Sequence, residues 1–161
     1  MATRNWMPHV RQHRTNAFGG YSNFKADTVV CHIIEGWRTT MDRWAEEDPV
    51  QNQVSYHFVI DIDGTITQYI PVIQASWAQG RVDSVQYPHV GINWMGYRPG
   101  VNPNSHVISI GAEGFSATGW NKAQHTACGQ ILNWLQNTHG ININASTLIG
   151  HNDICPMTRA E

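Results

Sequence analysis

Short apolar runs separated by polar and glycine-containing stretches dominate this chain, and runs of that length are typical of β-strands. The first run is rich in β-branched side chains, as in a fully buried strand. The second and third flank Asp63 and Gly64, a pair typical of the tight turn in a hairpin. The predicted strands comprise residues 28–34, 54–60, 65–70, 106–113 and 146–150.

Two segments have helical signals instead. Residues 39–47 predict a short helix with Thr39 or Thr40 as its N-cap. The clearest helix covers residues 121–138, with Asn121 as N-cap and Gly140 after its end. The side chains along one side of this helix are those of Ala127, Ile131, Leu135 and Thr138. Strands interleaved with helices imply an α/β or α+β domain built on one central sheet.

A length of 161 residues favours one domain over two. Residues 1–26 are polar and predict an irregular segment packed on a domain that covers residues 27–161. Residues 80–105 contain Gly, Pro and Asn throughout and predict a long loop. Loops of this length in compact domains are usually functional.

Composition excludes several classes of partner. Hydrophobic residues make up 41% and charged residues 14% of the chain, which favours a globular protein over a disordered one. A net charge of −2 without a basic tract argues against nucleic acid and anionic membranes as partners. No apolar stretch approaches the roughly 20 residues of a membrane span, so no membrane insertion is expected. Residues 1–14 contain no apolar run, so no secretory signal is expected.

Aromatic residues and cysteines add two expectations. Seven Trp and five Tyr are many for this length. Most of them are expected to be core residues or surface anchors, and a surplus of aromatic rings also suits stacking on sugars. Cys31, Cys128 and Cys155 are too far apart to form a disulfide framework. Cys31 and Cys128 lie in apolar patterns and predict small buried side chains.

The candidate chemistry begins with two distant histidines, each at the end of an apolar run. His32 ends the run in residues 28–32, and His151 follows the run in residues 147–150. Strands that deliver imidazoles to their carboxyl ends are a common way to build a metal site. His57 lies in the middle of a predicted strand, which indicates a structural or supporting role. The remaining histidines, predicted to lie at the surface or in loops, are His9, His13, His89, His106, His125 and His139.

Four short blocks carry a family resemblance between residues 28 and 161. They are Val-Val-Cys-His at 29–32, Ser-Tyr-His-Phe-Val-Ile-Asp-x-Asp-Gly at 55–64, Ser-Ile-Gly-x-Glu at 109–113 and Ile-Gly-His-x-Asp at 149–153. In this order and spacing, the chain resembles the zinc-dependent N-acetylmuramoyl-L-alanine amidases shared by phage lysins, bacterial amidases and peptidoglycan recognition proteins. The resemblance implies a single α/β domain with a central mixed sheet flanked by helices and a zinc site at the strand ends.

The resemblance also implies a ligand set. His32 and His151 match the first two zinc ligands of the family, and zinc in a hydrolase needs three protein ligands. By register, Glu161 stands where an Asp ligand is common. By chemistry, Cys155 is the more typical zinc ligand, although it follows His151 closely. A third alternative is a ligand just beyond residue 161.

Catalytic roles are carried over in the same way. Glu113 matches the acidic residue that handles the proton, although a solvated Glu at a strand end is an equal alternative. Tyr56 matches a tyrosine beside the reacting water, against the alternative of a packing aromatic. Arg159 stands where relatives carry a Lys, which implies stabilisation of the oxyanion. Relatives often have Trp-His-Ala-Gly where this chain has Trp-Ala-Gln-Gly at 77–80, and they often have Ile where it has Ala112.

The function implied is hydrolysis of the amide bond between N-acetylmuramic acid and L-alanine in peptidoglycan. The expected protein is the catalytic domain of a phage endolysin, a monomer made in the cytoplasm that acts on the bacterial cell wall. One alternative is a cytosolic amidase that recycles soluble muropeptides. Another, from a different class, is a module that binds peptidoglycan without cutting it. Metal content separates the binding module from the enzymes.

Overall fold

The described residues form a six-stranded sheet at the centre of the fold. The computed structural model describes residues 5–20, 24–49, 54–79, 98 and 101–154. The strands are β1 (Arg11–Gln12), β2 (Thr28–Ile33), β3 (Phe58–Ile60), β4 (Ile66–Gln68), β5 (Val107–Ala112) and β6 (Leu148–Gly150). The helices of the described ranges are α1 (Arg38–Glu46), α2 (Lys122–His139) and α3 (His151–Ile154), with a short 3-10 turn at Pro103–Ser105.

The strand order is β1-β4-β3-β5-β2-β6. β2 lies between β5 and β6 and is parallel to both. β3 is parallel to β5 and antiparallel to β4, and β1 is parallel to β4. The predicted α/β domain with a central mixed sheet is therefore confirmed. Because β2 and β6 are parallel neighbours, their carboxyl ends lie at the same edge of the sheet.

The predicted hairpin is present, with strands shorter than the sequence pattern indicates. β3 and β4 pair through residues 58–60 and 66–68, and the backbone N–H of Asp61 donates to the carbonyl of Thr65 across the turn. Gly64 has a φ of 88°, which a residue with a side chain rarely adopts. The polar N-terminal segment, which has no strand pattern, contributes β1 at the edge beside β4. The domain boundary at residue 26 stays a prediction.

The long helix matches its prediction closely. Asn121 is the N-cap of α2 and forms a reciprocal capping box with Gln124. Gly140 ends the helix in the left-handed conformation, with a φ of 68°. Its buried side chains include Ala127, Ile131 and Leu135.

The prediction that Thr39 or Thr40 caps α1 is wrong. The helix already begins at Arg38, and its N-cap, Trp37, makes no side-chain capping bond. Instead, the carboxylate of Glu113 accepts a hydrogen bond from the backbone N–H of Arg38 at 2.9 Å. A distant residue thus replaces the local cap, and a sequence pattern that considers only neighbours cannot reveal it.

The two faces of the sheet are covered differently. α2 packs on one face, here called the back face, against apolar side chains of β2, β3 and β5. Met41 and Ala45 of α1 pack on the other, here called the front face, in a smaller cluster with Val59 and Tyr69. None of the helices in the described ranges is long and apolar enough to cross a membrane.

Candidate active site

The two histidines singled out from the sequence meet at the carboxyl edge of the sheet. His32 lies near the end of β2, and His151 is the first residue of α3, directly after β6. Both are 2% exposed. Their Nδ1 atoms are 3.0 Å apart, and their ring centroids are 4.4 Å apart. The pairing of β2 with β6 therefore brings together two residues that are 119 positions apart in sequence.

A local turn aims His151 into this site. The side chain of Asp153 accepts a hydrogen bond from the backbone N–H of Gly150 at 2.8 Å, which closes the turn from β6 into α3. His151 is buried, whereas Asn152 and Asp153 are exposed. The Asp of the Ile-Gly-His-x-Asp block thus shapes the backbone that carries the histidine.

Gln79 contacts both histidines, although the sequence assigns it no role. Its side-chain amide nitrogen lies 3.1 Å from Nε2 of His32 and donates to Oγ of Ser109 at 2.8 Å. Its backbone carbonyl oxygen lies 3.4 Å from Nε2 of His151. Its own backbone N–H donates to the side chain of Asn104 at 3.0 Å. Gln79 is 1% exposed, so these contacts are made away from solvent.

His57 binds the backbone of two segments next to the site. It is fully buried, its Nδ1 accepts from the backbone N–H of Ser109 at 3.0 Å, and its Nε2 donates to the carbonyl of Gln74 at 2.7 Å. Burial lowers its pKa to about 4, so the ring is neutral near pH 7. Both ring nitrogens are engaged by backbone groups, which gives His57 the supporting role predicted for it.

Tyr56 lies against His32 on the front face. The two rings meet edge to face, with centroids 5.1 Å apart. Gly111 pairs with His32 across β2 and β5. A Cβ at Gly111 would lie 2.5 Å from Cγ2 of Ile34 and 3.4 Å from the ring of Tyr56. The glycine of the Ser-Ile-Gly block therefore allows these side chains to close around His32.

Glu113 is half-buried just after β5 and makes two bonds to backbone groups. One carboxylate oxygen accepts from the N–H of Arg38 at 2.9 Å, and the other accepts from the N–H of Ile62 at 2.8 Å. The carboxylate thereby connects the start of α1 with the β3–β4 turn. Burial raises the pKa of the neighbouring Asp61, and the charge of Glu113 adds to this effect, whereas the ion pair of Asp61 with Arg38 opposes it.

The donor chemistry of the histidine pair fits zinc. Two nitrogens bound to one tetrahedral zinc at the usual length of about 2.0–2.1 Å stand about 3.3 Å apart, close to the separation observed here. Within the described ranges, no group of three or more His, Cys, Asp or Glu side chains could hold a metal ion. The predicted third ligands Glu161 and Cys155, and the predicted oxyanion group Arg159, lie outside the described residues.

His106 lies in the turn directly before β5, as expected for a loop residue, but it is buried rather than exposed. His106 is 2% exposed, and its Nδ1 lies 3.2 Å from a carboxylate oxygen of Asp27. Burial lowers the pKa of His106, although Asp27 opposes this effect. The residue directly precedes β5, and the strand draws it into the interior.

Comparisons with known proteins relate this chain to amidases. The family model described as N-acetylmuramoyl-L-alanine amidase matches residues 22–160. Among curated proteins, none matches this chain in sequence.

Solved structures share the fold. The selenomethionine derivative of AmpD has a TM-score of 0.75 at 20% identity, covering 98% of this chain and 89% of that one. The endolysin N-acetylmuramoyl-L-alanine amidase LysCS from Clostridium intestinale URNW has a TM-score of 0.62 at 22% identity, with coverages of 98% and 87%. The Ph2119 endolysin from Thermus scotoductus MAT2119 bacteriophage Ph2119 has a TM-score of 0.56 at 12% identity, with coverages of 90% and 86%.

Proposed function

Since the chain belongs to the N-acetylmuramoyl-L-alanine amidase family, we propose that it hydrolyses the amide between N-acetylmuramic acid and L-alanine with the help of one zinc ion. The family match and the shared fold support amidase activity on peptidoglycan. The observation that carries the zinc proposal is the buried pair of imidazoles, His32 and His151, with Nδ1 atoms 3.0 Å apart.

His32 and His151 would hold the metal through Nδ1. The third protein ligand is proposed to be Glu161, with Cys155 or a residue beyond position 161 as alternatives. Bound there, zinc supplies a Lewis acid that polarises the amide carbonyl and makes water more acidic. Tyr56 forms one wall of this position through its edge contact with His32.

Glu113 is the proposed proton carrier. It takes the proton of the attacking water and passes it to the leaving amine, as a general acid–base group does. Each of its oxygens accepts one backbone N–H and keeps a second lone pair for this purpose. These two hydrogen bonds hold the carboxylate in one position relative to the backbone.

Arg159 is the proposed stabiliser of the negative oxygen that forms when water attacks the carbonyl. Such a group contributes about 3–4 kcal/mol, or roughly 10²–10³ in rate. We expect Arg159→Ala to lose about that factor in turnover and Arg159→Lys to recover part of it, because either cation meets the charge. Equal turnover of Arg159→Ala and the wild type would remove Arg159 from the mechanism.

An exposed aromatic pair is the proposed contact for the glycan. Trp37 and Phe115 are 53% and 43% exposed and meet edge to face, with centroids 5.9 Å apart. They follow β2 and β5, the strands that lead to His32 and Glu113. Exposed ring faces at this edge suit stacking against the apolar faces of sugar rings.

The biological role proposed is that of an endolysin catalytic domain acting on the bacterial cell wall. Two solved structures with this fold are named endolysins, from Clostridium intestinale URNW and from a Thermus scotoductus bacteriophage. Lysis of cells exposed to the protein from outside or inside tests this role. Cleavage of soluble muropeptides without cleavage of intact wall would favour the recycling alternative.

Metal content is the first test of the proposal. The purified protein should contain about one zinc per chain, and His32→Ala or His151→Ala should abolish tight binding. His125→Ala is the matched control, because His125 is exposed on α2, which packs on the back face. Stoichiometric zinc retained in the His32→Ala, His151→Ala double variant would exclude this pair as ligands.

The bond cleaved is the second test. Digestion of purified cell wall should release new amino groups without new reducing sugars, because an amidase leaves the glycan intact. Reducing ends that appear in step with clearing would indicate a glycosidase. Binding to the wall without zinc and without any cleavage would favour the recognition module.

A further inference from the structure

We propose that Arg38 and Asp61 are positioning residues for Glu113, the proton carrier of the proposed amidase reaction. The inference rests on the proposed function, because it gives this ion pair a role in the same reaction. It follows from a closed ring of contacts, in which the two chain segments that hold the Glu113 carboxylate through backbone groups are also joined by the side chains of Arg38 and Asp61.

The ring begins and ends at the carboxylate of Glu113. One oxygen accepts from the backbone N–H of Arg38 at 2.9 Å, and the other accepts from the backbone N–H of Ile62 at 2.8 Å. Nε of Arg38 donates to the carboxylate of Asp61, the residue before Ile62, at 2.8 Å. This side-chain bond ties the start of α1 to the β3–β4 turn. It therefore sets the spacing of the two N–H groups, which must match the two oxygens of one carboxylate.

The carboxylate of Asp61 serves Arg38 rather than the turn. The turn is closed by the backbone of Asp61, whose N–H donates to the carbonyl of Thr65 and whose carbonyl accepts from Gly64. The side chain of Asp61 is only 17% exposed, and its Oδ1 is buried without a hydrogen-bond partner within the part of the chain that the structure describes. A carboxylate in such surroundings is costly without its cation. The position of Asp61 therefore depends on Arg38.

Arg38 also supplies the positive charge among several carboxylates. Burial raises the pKa of Asp61, the nearby charges of Glu113 and Asp63 raise it further, and Arg38 opposes them. Without Arg38, the charge of Asp61 would act on Glu113 as an unscreened like charge. Loss of the guanidinium would thus remove the bond that spaces the two backbone donors and add a repulsion that displaces the proton carrier.

The expected effect is on turnover. Removing either side chain leaves both backbone N–H groups present and removes only the bond that spaces them. A misplacement of about 1 Å can cost on the order of 10²-fold in rate, so Arg38→Met and Asp61→Leu should each lower turnover by about 10- to 100-fold. The half-saturating concentration of cell wall and the zinc content should stay close to those of the wild type, because the pair belongs to neither the proposed glycan contacts nor the proposed zinc ligands.

The double variant distinguishes a shared role from two separate ones. Arg38→Met alone leaves Asp61 charged and largely buried beside Glu113, whereas the further change Asp61→Leu removes that charge. The double variant should therefore turn over no more slowly than Arg38→Met and should have a higher Tm. Independent contributions would instead multiply the two losses. Asp61→Leu and the double variant leave no uncompensated carboxylate at position 61, so they decide the question if Arg38→Met folds poorly.

Arg11→Met is the matched control. It makes the same exchange at the other guanidinium that binds Asp42, and it lies outside the ring. Its turnover should equal that of the wild type. Hydrogen exchange at the backbone amide of Ile62, followed by NMR, reports the hold on Glu113 without any enzyme assay. Exchange should be faster in Arg38→Met than in the wild type and unchanged in Arg11→Met.

The outcomes separate this inference from the proposed function. If the wild type cleaves cell wall and both Arg38→Met and Asp61→Leu cleave it equally fast, the ion pair does not position Glu113, although the amidase proposal stands. Lower turnover with unchanged exchange at Ile62 would also overturn the inference, because the loss would then arise elsewhere. If the wild type itself does not cleave cell wall, the proposed function fails and this inference fails with it.

Discussion

Replacing Glu113 by Gln separates the two roles that its carboxylate combines. The change keeps the shape of the side chain but removes the charge and turns an NH₂ group toward one of the two backbone N–H donors. The bonds at stake are those from Arg38, at the start of α1, and from Ile62, in the β3–β4 turn. One of them is lost, and the proton carrier is lost with it.

The two losses have different sizes and different readouts. A hydrogen bond to a charged group contributes about 1.5–3 kcal/mol to the free energy of unfolding, and a negative charge at a helix start adds about 0.3–1 kcal/mol. The sum, about 2–4 kcal/mol, corresponds to a Tm lower by roughly 4–16 °C in a domain of this size. Loss of a general acid–base group lowers turnover by about 10²–10⁴.

Thermal unfolding and cell-wall hydrolysis measure these effects separately, provided that hydrolysis is followed well below the Tm of the variant. Asn121→Ala is the matched control, because it removes the N-cap of α2, which packs on the back face. It should cost about 1 kcal/mol of stability and leave turnover unchanged. Glu113→Gln should retain zinc, because Glu113 is not among the proposed zinc ligands and its carboxylate binds the backbone N–H groups of Arg38 and Ile62.

The structural and the catalytic role of Glu113 can be refuted separately. A Tm of Glu113→Gln equal to that of the wild type would show that the two backbone bonds do not stabilise the fold. Turnover equal to that of the wild type, with the Tm lowered as expected, would show that Glu113 is structural only. The proton transfer would then fall to another group, with Tyr56, whose ring contacts His32, and His57 as the next candidates.

Three further predictions concern the surroundings of the site. The free energy of unfolding should fall by about 3 kcal/mol as the pH drops from 6.5 to about 4, because His57 binds a proton in the unfolded chain but not in the folded one. In chemical denaturation, the stability of His57→Gln should depend less on pH over this range. Gly111→Ala should cost about 1–3 kcal/mol in the same assay, because the new Cβ meets Ile34, and an unchanged midpoint would contradict this. Trp37→Ala should raise the half-saturating concentration of cell wall about two- to tenfold without changing the Tm, and unchanged saturation would exclude stacking there.

Features determined by neighbouring residues were predictable from the sequence. The N-cap of α2 at Asn121 and its end at Gly140 depend on residues within one helical turn. The hairpin turn depends on Gly64 for the same reason. The meeting of His32 and His151 was predictable as well, although only through the resemblance, because neither strand pattern alone identifies its partner.

Features determined by distant contacts were not predictable in this way. The strand β1 is two polar residues long and exists because the edge of β4 offers hydrogen bonds. The start of α1 is capped from position 113, across 75 residues of sequence. Gln79 lies in a segment without periodicity, and its contacts with both histidines arise only when the chain folds.

These distant contacts also explain why so much of the site lies in residues that are not themselves reactive. A buried imidazole pair tolerates a metal only if every remaining ring N–H finds an acceptor, because a buried donor without one costs about 1–3 kcal/mol. The backbone carbonyl of Gln79 offers such an acceptor to Nε2 of His151, and Ser109 and Asn104 bind the side chain and the backbone of the same residue. Replacement of Gln79 should therefore disturb the packing around His32 and His151, although Gln79 itself is not reactive.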